Sequence, residues 1–348
     1  MSTTNTILEA QSLYKLFGGN AGWLARQAQR LGLSRRGKGD AVYAVNGVSL
    51  EIRRGEVLGL VGESGCGKST FGRMVAGILE PSAGTMTLNG QHVRHDGPDS
   101  IHRKVQMVFQ NPYGSLNPRM RVSASLSEAA IYHGLVRRAV AGDFVRELLN
   151  DVGLDPDYAS RYPHQFSGGQ RQRIAIARAL ALQPELVVCD EAVSALDVSV
   201  QAQILNLFLD LRAARKLTYL FISHNLSVVE YLSDRVAIMY MGRIVELAET
   251  STLFKSPVHP YTQALIADAP RLDSAPPAHR PMPTDLPNPM DLPTGCAFHP
   301  RCPMAMERCK VETPQLAEVE PGHIGACHLI DFKVHRRVVV PIKATYGP

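Results

Sequence analysis

The run Leu60-Val61-Gly62-Glu63-Ser64-Gly65-Cys66-Gly67-Lys68-Ser69-Thr70 constrains this chain more than any other stretch. It fits G-x-x-x-x-G-K-[ST], a loop that cradles phosphate. The apolar residues 57–61 before it read as a buried strand, and residues 70–79 after it as a helix. The glycines let successive backbone N–H groups turn inward at a helix N-terminus and form an anion-binding concavity. Lys68 adds a positive charge for the β- and γ-phosphates, and Ser69 offers its hydroxyl to a magnesium ion. Gly62, Glu63, Ser64, Gly65, Cys66, Gly67, Lys68, Ser69 and Thr70 are therefore candidate nucleotide-binding residues.

A second anchor is Leu186-Val187-Val188-Cys189-Asp190-Glu191, an apolar run that ends in two adjacent carboxylates. Asp190 is placed to hold the magnesium hydration shell opposite Ser69. Glu191, one residue further, is placed to polarise an attacking water. Acidic residues often end strands without catalysing anything, so the weight lies in the pairing with the phosphate loop.

Further strands are expected at 7–17, 43–52, 85–88, 105–109, 217–222, 236–239 and 243–246. Residues 122–152 are mainly helical in pattern, as are 171–182, and Val200, Ile204, Phe208 and Leu211 repeat at helical spacing. Residues 18–40 form a basic insertion carrying Trp23, read as a solvated surface segment, with a short amphipathic helix near lipid headgroups as the second reading. From 256 to 303 prolines are dense, which rules out regular helix or a central strand and implies an extended segment wrapped on or linked to the main domain.

At 348 residues the chain has room for about two domains. Its 45% apolar and 20% charged content is that of a folded soluble protein. No apolar run reaches the roughly 18 residues that span a bilayer, and residues 1–10 carry no secretory pattern, so a cytosolic protein is expected. A net charge of +5 is too weak to argue for nucleic acid.

The third anchor is Phe166-Ser167-Gly168-Gly169-Gln170-Arg171-Gln172-Arg173, two glycines and a serine at a helix start, a second candidate anion site. With this segment about twenty residues ahead of a strand ending in Asp-Glu, the sequence resembles the ATP-binding subunits of ABC transporters. The resemblance implies an α/β fold: a RecA-like P-loop NTPase core, an antiparallel β subdomain and an α-helical subdomain at about 118–168. The cassette would span 1–255, and a Pro/Cys-rich C-terminal extension 256–348. It also implies roles for single residues. Phe17 matches the aromatic that stacks on adenine, with Tyr43 the weaker candidate. Gln110 matches the glutamine that touches magnesium and the attacking water. Ser194, Ala195, Leu196 and Asp197 match the loop that crosses to a partner subunit, and His224 the histidine that contacts the γ-phosphate and steadies Glu191. Ser167, Gly168, Gly169 and Gln170 match the signature that meets ATP held by the partner. The catalytic set is then Glu191, His224, Lys68 and Gln110, with Ser69, Gln110 and Asp190 at magnesium. Two departures stand out: Ala192 where the family has proline, and Asn225 where it has aspartate. Ala192 is a candidate to loosen the loop that presents Glu191.

The stretches 109–118 and 259–265 sharpen the resemblance to the dipeptide and oligopeptide importer branch, and within it to the F-type of two paralogous ATPase subunits. The implied cofactors are ATP and Mg²⁺. The implied partners are a paralogous ATPase subunit, two transmembrane permease subunits and, through them, an extracytoplasmic peptide-binding protein, with no nucleic acid. The implied place is the cytoplasmic face of the membrane. Nickel importers share much of the pattern, and a soluble ABC ATPase is the rival from another class.

Four of the six cysteines, Cys296, Cys302, Cys309 and Cys327, lie in the last 53 residues with spacing C-x5-C-x6-C-x17-C. In a reducing compartment such clustering favours metal over disulfide. The gaps are long for zinc, and four thiolates on irregular loops suit an iron–sulfur cluster. The resemblance points to a [4Fe–4S] cluster as well. Zinc and no metal remain the alternatives. His299, His323 and His328 nearby read as surface residues, and Cys66 and Cys189 as small packing residues.

Overall fold

The apolar runs form strands, and their pairing divides them between two sheets. The computed structural model describes residues 5–18, 41–93, 101–268, 288, 290 and 292–330. The basic insertion with Trp23 and most of the proline-rich segment lie outside the described residues. Strands β1 (Thr6–Gly18), β2 (Ala41–Arg53), β4 (Ala83–Leu88) and β5 (Gln91–His92) make an antiparallel sheet in the order β2-β1-β4-β5. Strands β3 (Val57–Val61), β6 (Val105–Val108), β7 (Leu186–Asp190), β8 (Thr218–Ser223) and β9 (Arg235–Tyr240) form the parallel centre of a second sheet, ordered β9-β3-β8-β7-β6. Beyond β9 that sheet turns antiparallel through β10 (Arg243–Glu249), β12 (His323–Gly325) and β11 (Ala317–Glu320).

The two faces of the parallel strands feed two different cores. Val57, Val187, Cys189, Tyr219, Phe221, Val236 and Ile238 join the core that also holds Leu126, Leu148 and Leu149 of the helical subdomain. Their strand neighbours Leu58, Leu60, Leu186, Val188, Leu220, Ile222 and Ala237 join the core shared with Ile7, Leu13, Val48 and Ile52 of the antiparallel sheet. Side chains alternate across a strand, so a strand covered on both faces needs apolar residues at consecutive positions. This is why β3, β7, β8 and β9 are buried at every residue.

Helices connect the parallel strands. Lys68–Val75 follows β3, Gly168–Leu180 precedes β7, Val198–Arg215 leads into β8 and Leu226–Leu232 into β9. The helical pattern at 122–152 resolves into Val122–Tyr132 and Ala141–Asp151, separated by a short 3₁₀ turn. Asn225 caps the helix Leu226–Leu232, its Oδ1 accepting from the Ser227 N–H at 3.0 Å. Asparagine therefore does at this position the capping work that aspartate would do.

The chain beyond residue 256 does form a regular helix, Pro260–Asp268, against the expectation from proline density. Pro260 takes its first position, where a missing N–H costs nothing. The chain then joins the antiparallel side of the second sheet. The pivot is Glu246 on β10, which is fully buried. Its carboxylate accepts from the Val258 and His259 N–H groups at 2.8 and 2.9 Å and from His323 Nε2 at 2.8 Å. β12 pairs with β10 through Glu246–Gly325 and Leu247–Ile324. Neither β11 nor β12 shows in the residue pattern, because strands of four and three residues at an edge are set by their pairing partner. His323 and His328 are buried, not at the surface as the sequence implied. The reason is tertiary pairing: His323 faces the Glu246 carboxylate, and His328 Nε2 donates to the Glu312 carbonyl at 2.9 Å.

Candidate active site

β3, β7 and β8 run parallel and adjacent, so their C-terminal ends lie side by side. β3 ends at the phosphate loop, β7 at Asp190 and β8 at Ser223, next to His224. Parallel pairing thus gathers at one sheet edge groups more than 120 residues apart in sequence, as the Ser69–Asp190 contact shows.

The loop conformation depends on glycine at Gly67, the N-cap of the helix Lys68–Val75, with φ +106°. A Cβ there would stand 2.0 Å from the Ala44 carbonyl oxygen on β2. Lys68 is buried, and its ammonium donates to the Gly62 and Glu63 carbonyls at 2.7 and 2.9 Å. Its charge is therefore held inside the curve of the loop. Ser64 and Gly65 are exposed at the loop's outer turn, and Cys66 is buried as a packing residue. Ser69 Oγ donates to Asp190 Oδ1 at 2.8 Å, which places hydroxyl and carboxylate together as a magnesium site requires. Burial pushes the Asp190 carboxyl up, while the Ser69 hydrogen bond and the Arg73 charge pull it down.

Glu191 follows β7 with φ +49°, in the left-handed region. Holding a non-glycine residue there costs roughly 1–3 kcal/mol, and three hydrogen bonds hold it. The Glu191 N–H donates to the Ile222 carbonyl at 2.9 Å, and the Glu191 carbonyl accepts from the Ser194 N–H at 3.1 Å and from Ser194 Oγ at 3.0 Å. Ala192 is buried behind it. These three bonds anchor the loop with alanine in place of the proline. His224 Nδ1 lies 3.2 Å from Glu191 Oε1. Gln110 Nε2 donates to Ser194 Oγ at 3.2 Å, linking the end of β6 to the segment Ser194-Ala195-Leu196-Asp197. Gln110, Ser194, Ala195 and Asp197 are exposed, and Leu196 half-buried.

Ser167 is the N-cap of the helix Gly168–Leu180 and forms a capping box. Its Oγ accepts from the Gln170 N–H at 3.3 Å, and Gln170 Oε1 accepts from the Ser167 N–H at 3.1 Å. Gly169 is needed for contact with the helix Val198–Arg215: a Cβ would stand 2.5 Å from Val200 Cγ1. Phe17 and Tyr43 are both exposed, at 42% and 41%, on the paired strands β1 and β2. Phe17 pairs with Val42 and Leu16 with Tyr43, so the two aromatics point to opposite faces and only one of them can flank a given base.

The phosphate loop also has partners that no motif announces. Tyr261, fully buried, accepts the Glu63 N–H on its hydroxyl at 2.9 Å. Arg301 donates to both Glu63 carboxylate oxygens, at 2.8 and 2.9 Å. Tyr261 sits within the recognised 259–265 stretch, but its chemistry becomes visible only through this contact.

Cys296, Cys302, Cys309 and Cys327 line one small cavity, together with His259, His299 and His328. Yet among the described residues no group of three or more His, Cys, Asp or Glu side chains is arranged to hold a metal ion. The zinc reading therefore gains nothing from the geometry, and the expected iron–sulfur site is not preformed. Burial holds the thiols of Cys296, Cys302 and Cys327 above the ordinary range, Cys327 at about 11. No helix among the described residues is long and apolar enough to cross a membrane.

Comparison with known proteins identifies the family. Residues 45–194 match the family model "ABC transporter", and residues 245–309 match "Oligopeptide/dipeptide transporter, C-terminal region". The chain is 49% identical to the putative oligopeptide transport ATP-binding protein YkfD of Bacillus subtilis, over 84% of this chain and 91% of that protein. It is 46% identical to the oligopeptide transport ATP-binding protein AppF of the same organism, over 93% and 97%. It is also 46% identical to the di/tripeptide transport ATP-binding protein DppF of Pseudomonas aeruginosa, over 84% and 91%. Among solved structures, cbiO1 from Clostridium perfringens, part of the ABC transporter complex cbiONQ, shares the fold, with TM-score 0.60 at 23% identity over 72% of this chain and 92% of that one. The bacterial ABC transporter cassette MJ0796, solved as a dimer, does so at TM-score 0.58 and 22% identity over 70% and 99%. The loop that encloses Lys68, the Ser69–Asp190 pair and the Glu191–His224 pair share one sheet edge, and by its matches this chain belongs to the ATPase subunits of ABC transporters, in the group that carries the oligopeptide/dipeptide transporter C-terminal region.

Proposed function

We propose that this chain hydrolyses ATP to power import of di- or oligopeptides, from the cytoplasmic face of a membrane. The observation that carries the catalytic reading is the pairing of Glu191 with His224 beside Ser69–Asp190. Phosphoryl transfer needs positioning and charge neutralisation more than covalent chemistry. Lys68 and the loop amides neutralise the phosphates, Ser69, Asp190 and Gln110 serve magnesium, and Glu191 draws a proton from water while His224 fixes its carboxylate. Phe17 stacks on the base. In this reading residues 1–255 are the cassette and 256–348 the transporter-specific extension.

Ser167, Gly168, Gly169 and Gln170 complete the site of a second ATPase subunit, and the loop Ser194–Asp197 lies at that junction. The exposure of Ser167, Gly168, Ser194, Ala195 and Asp197 supports this, as does the dimer of the MJ0796 cassette. The partner is a paralogous subunit, and closure acts on two permease subunits served by a peptide-binding protein. Peptide cargo is supported by the relatives' names and the C-terminal match. The four cysteines are the candidate ligands of a [4Fe–4S] cluster. That reading rests on the number and spacing of the four cysteines in the sequence, which suit one thiolate per iron. No step of hydrolysis runs through it.

The test is ATP turnover by the assembled transporter in vesicles. Peptide bound to the external binding protein should stimulate turnover, and nickel should not. Stimulation by nickel alone would replace the peptide reading, and full activity of a verified monomer would remove the two-subunit site. Iron content and visible absorbance of anaerobically purified protein decide the cluster.

A further inference from the structure

We propose that Arg301 and Tyr261, both outside the cassette motifs, are positioning residues of the ATP site, so that the C-terminal extension helps to shape the phosphate loop. The proposal rests on reading Gly62–Thr70 as the ATP phosphate loop. Glu63 is held at three points. Its carboxylate receives two parallel hydrogen bonds from the Arg301 guanidinium, at 2.8 and 2.9 Å. Its N–H donates to the Tyr261 hydroxyl at 2.9 Å, and its carbonyl accepts from Lys68 Nζ at 2.9 Å. Two of the three holds come from the extension, across 238 and 198 positions of sequence.

The pair is not a surface ion pair. The Arg301 side chain is 6% exposed and that of Glu63 21%. A forked guanidinium–carboxylate contact in such surroundings fixes orientation as well as distance, which a single point charge does not. Arg301 is itself fixed. Its N–H donates to the Phe298 carbonyl at 3.0 Å, and Phe298 packs against Tyr240 and Tyr261 with ring centroids 5.3 and 5.4 Å apart. The guanidinium carbon lies 6.0 Å from the Tyr240 ring centroid. The Glu63 amide is committed to Tyr261, so phosphate is left to the other loop amides, and the loop's curvature depends on where Arg301 and Tyr261 hold Glu63. Neither side chain touches the nucleotide in this scheme. They set the shape into which the phosphates fit, and so act on ATP affinity and not on the chemical step.

The experiment measures ATP turnover against ATP concentration in the assembled transporter for Arg301→Met, Arg301→Lys, Glu63→Gln and the Arg301→Met/Glu63→Gln double variant. KM for ATP should rise about 10-fold in Arg301→Met, the coupling typical of contacting charged partners, with kcat at saturating ATP within about twofold of wild type. Arg301→Lys, which keeps the charge without the fork, should fall between. The double variant should match the worse single one, because both remove the same contact. Unchanged KM in Arg301→Met and Glu63→Gln overturns the proposal, as does a lowered melting temperature with unchanged KM, which would make the pair a folding contact only. Additive effects in the double variant overturn it too. If Arg301→Met does not assemble, Glu63→Gln decides alone, since it is isosteric. Lys68→Ala is the control: if it leaves ATP binding intact, the phosphate-loop reading has failed and not the positioning role.

Discussion

Replacing Glu246 with glutamine tests how the C-terminal region is fastened to the cassette. The carboxylate uses both oxygens: Oε1 accepts from the Val258 N–H and His323 Nε2, and Oε2 accepts from the His259 N–H. Glutamine keeps the volume, so no cavity forms, but it exchanges one acceptor for a donor. With the amide oxygen at the Oε1 position, the His259 N–H faces another donor. With the amide turned over, the Val258 N–H loses its acceptor, and His323 stays bonded only in the tautomer that accepts at Nε2. Either way at least one buried N–H is left unpaired, about 1–3 kcal/mol. That loss is local, because β3 and β8 lie across β9 from β10. Hydrogen exchange of the full-length chain reads it directly. Amides 258 and 259 should exchange about 5–150-fold faster than in the wild type, the rate equivalent of that energy, while β3 and β8 keep their protection. Exchange at 258 and 259 within twofold of wild type would refute the argument that this carboxylate holds the segment.

Three further outcomes are expected. Glu191→Gln in the assembled transporter should lower kcat for ATP by about 10²–10⁴-fold, the usual share of a general base, with ATP binding retained; undiminished turnover removes Glu191 from the mechanism. Gly67→Ala should abolish ATP binding and destabilise the cassette by at least about 1 kcal/mol, since alanine is incompatible with this φ and its Cβ meets the Ala44 carbonyl; nucleotide titration and thermal melts check both. Burial lowers the His259 imidazole from 6.5 to about 4. The unfolded chain therefore binds a proton there that the folded chain refuses, and stability falls as pH drops through that window, by about 3 kcal/mol at its lower end. His259→Asn, whose Oδ1 can still accept the Tyr261 N–H now bonded to His259 Nδ1, should flatten that slope. Urea midpoints at pH 7 and pH 5 measure it, and equal slopes in both proteins refute it.

What local sequence settled was everything whose chemistry is contiguous. The phosphate loop must curve around an anion, so its glycines and Lys68 fall within nine residues, and the same holds for Ser167–Gln170 at a helix start and Asp190–Glu191 at a strand end. The strands of the parallel sheet were legible because burial on both faces makes each an uninterrupted apolar run. What only the folded chain decided lies between segments. From the sequence Glu63 is one of the candidate nucleotide-binding residues of the loop, and its contact with Arg301, 238 residues away, is of a kind that no periodicity encodes. Glu246 reads as a polar residue in a short strand, and its burial makes sense only once Val258, His259 and His323 supply its donors. His323 and His328 were misplaced at the surface for the same reason: a polar side chain goes inside when a distant partner satisfies it, and the partner is chosen by tertiary pairing. The four cysteines stand between these cases, since their spacing announced a cluster and the fold brings them to one cavity without closing it around an ion.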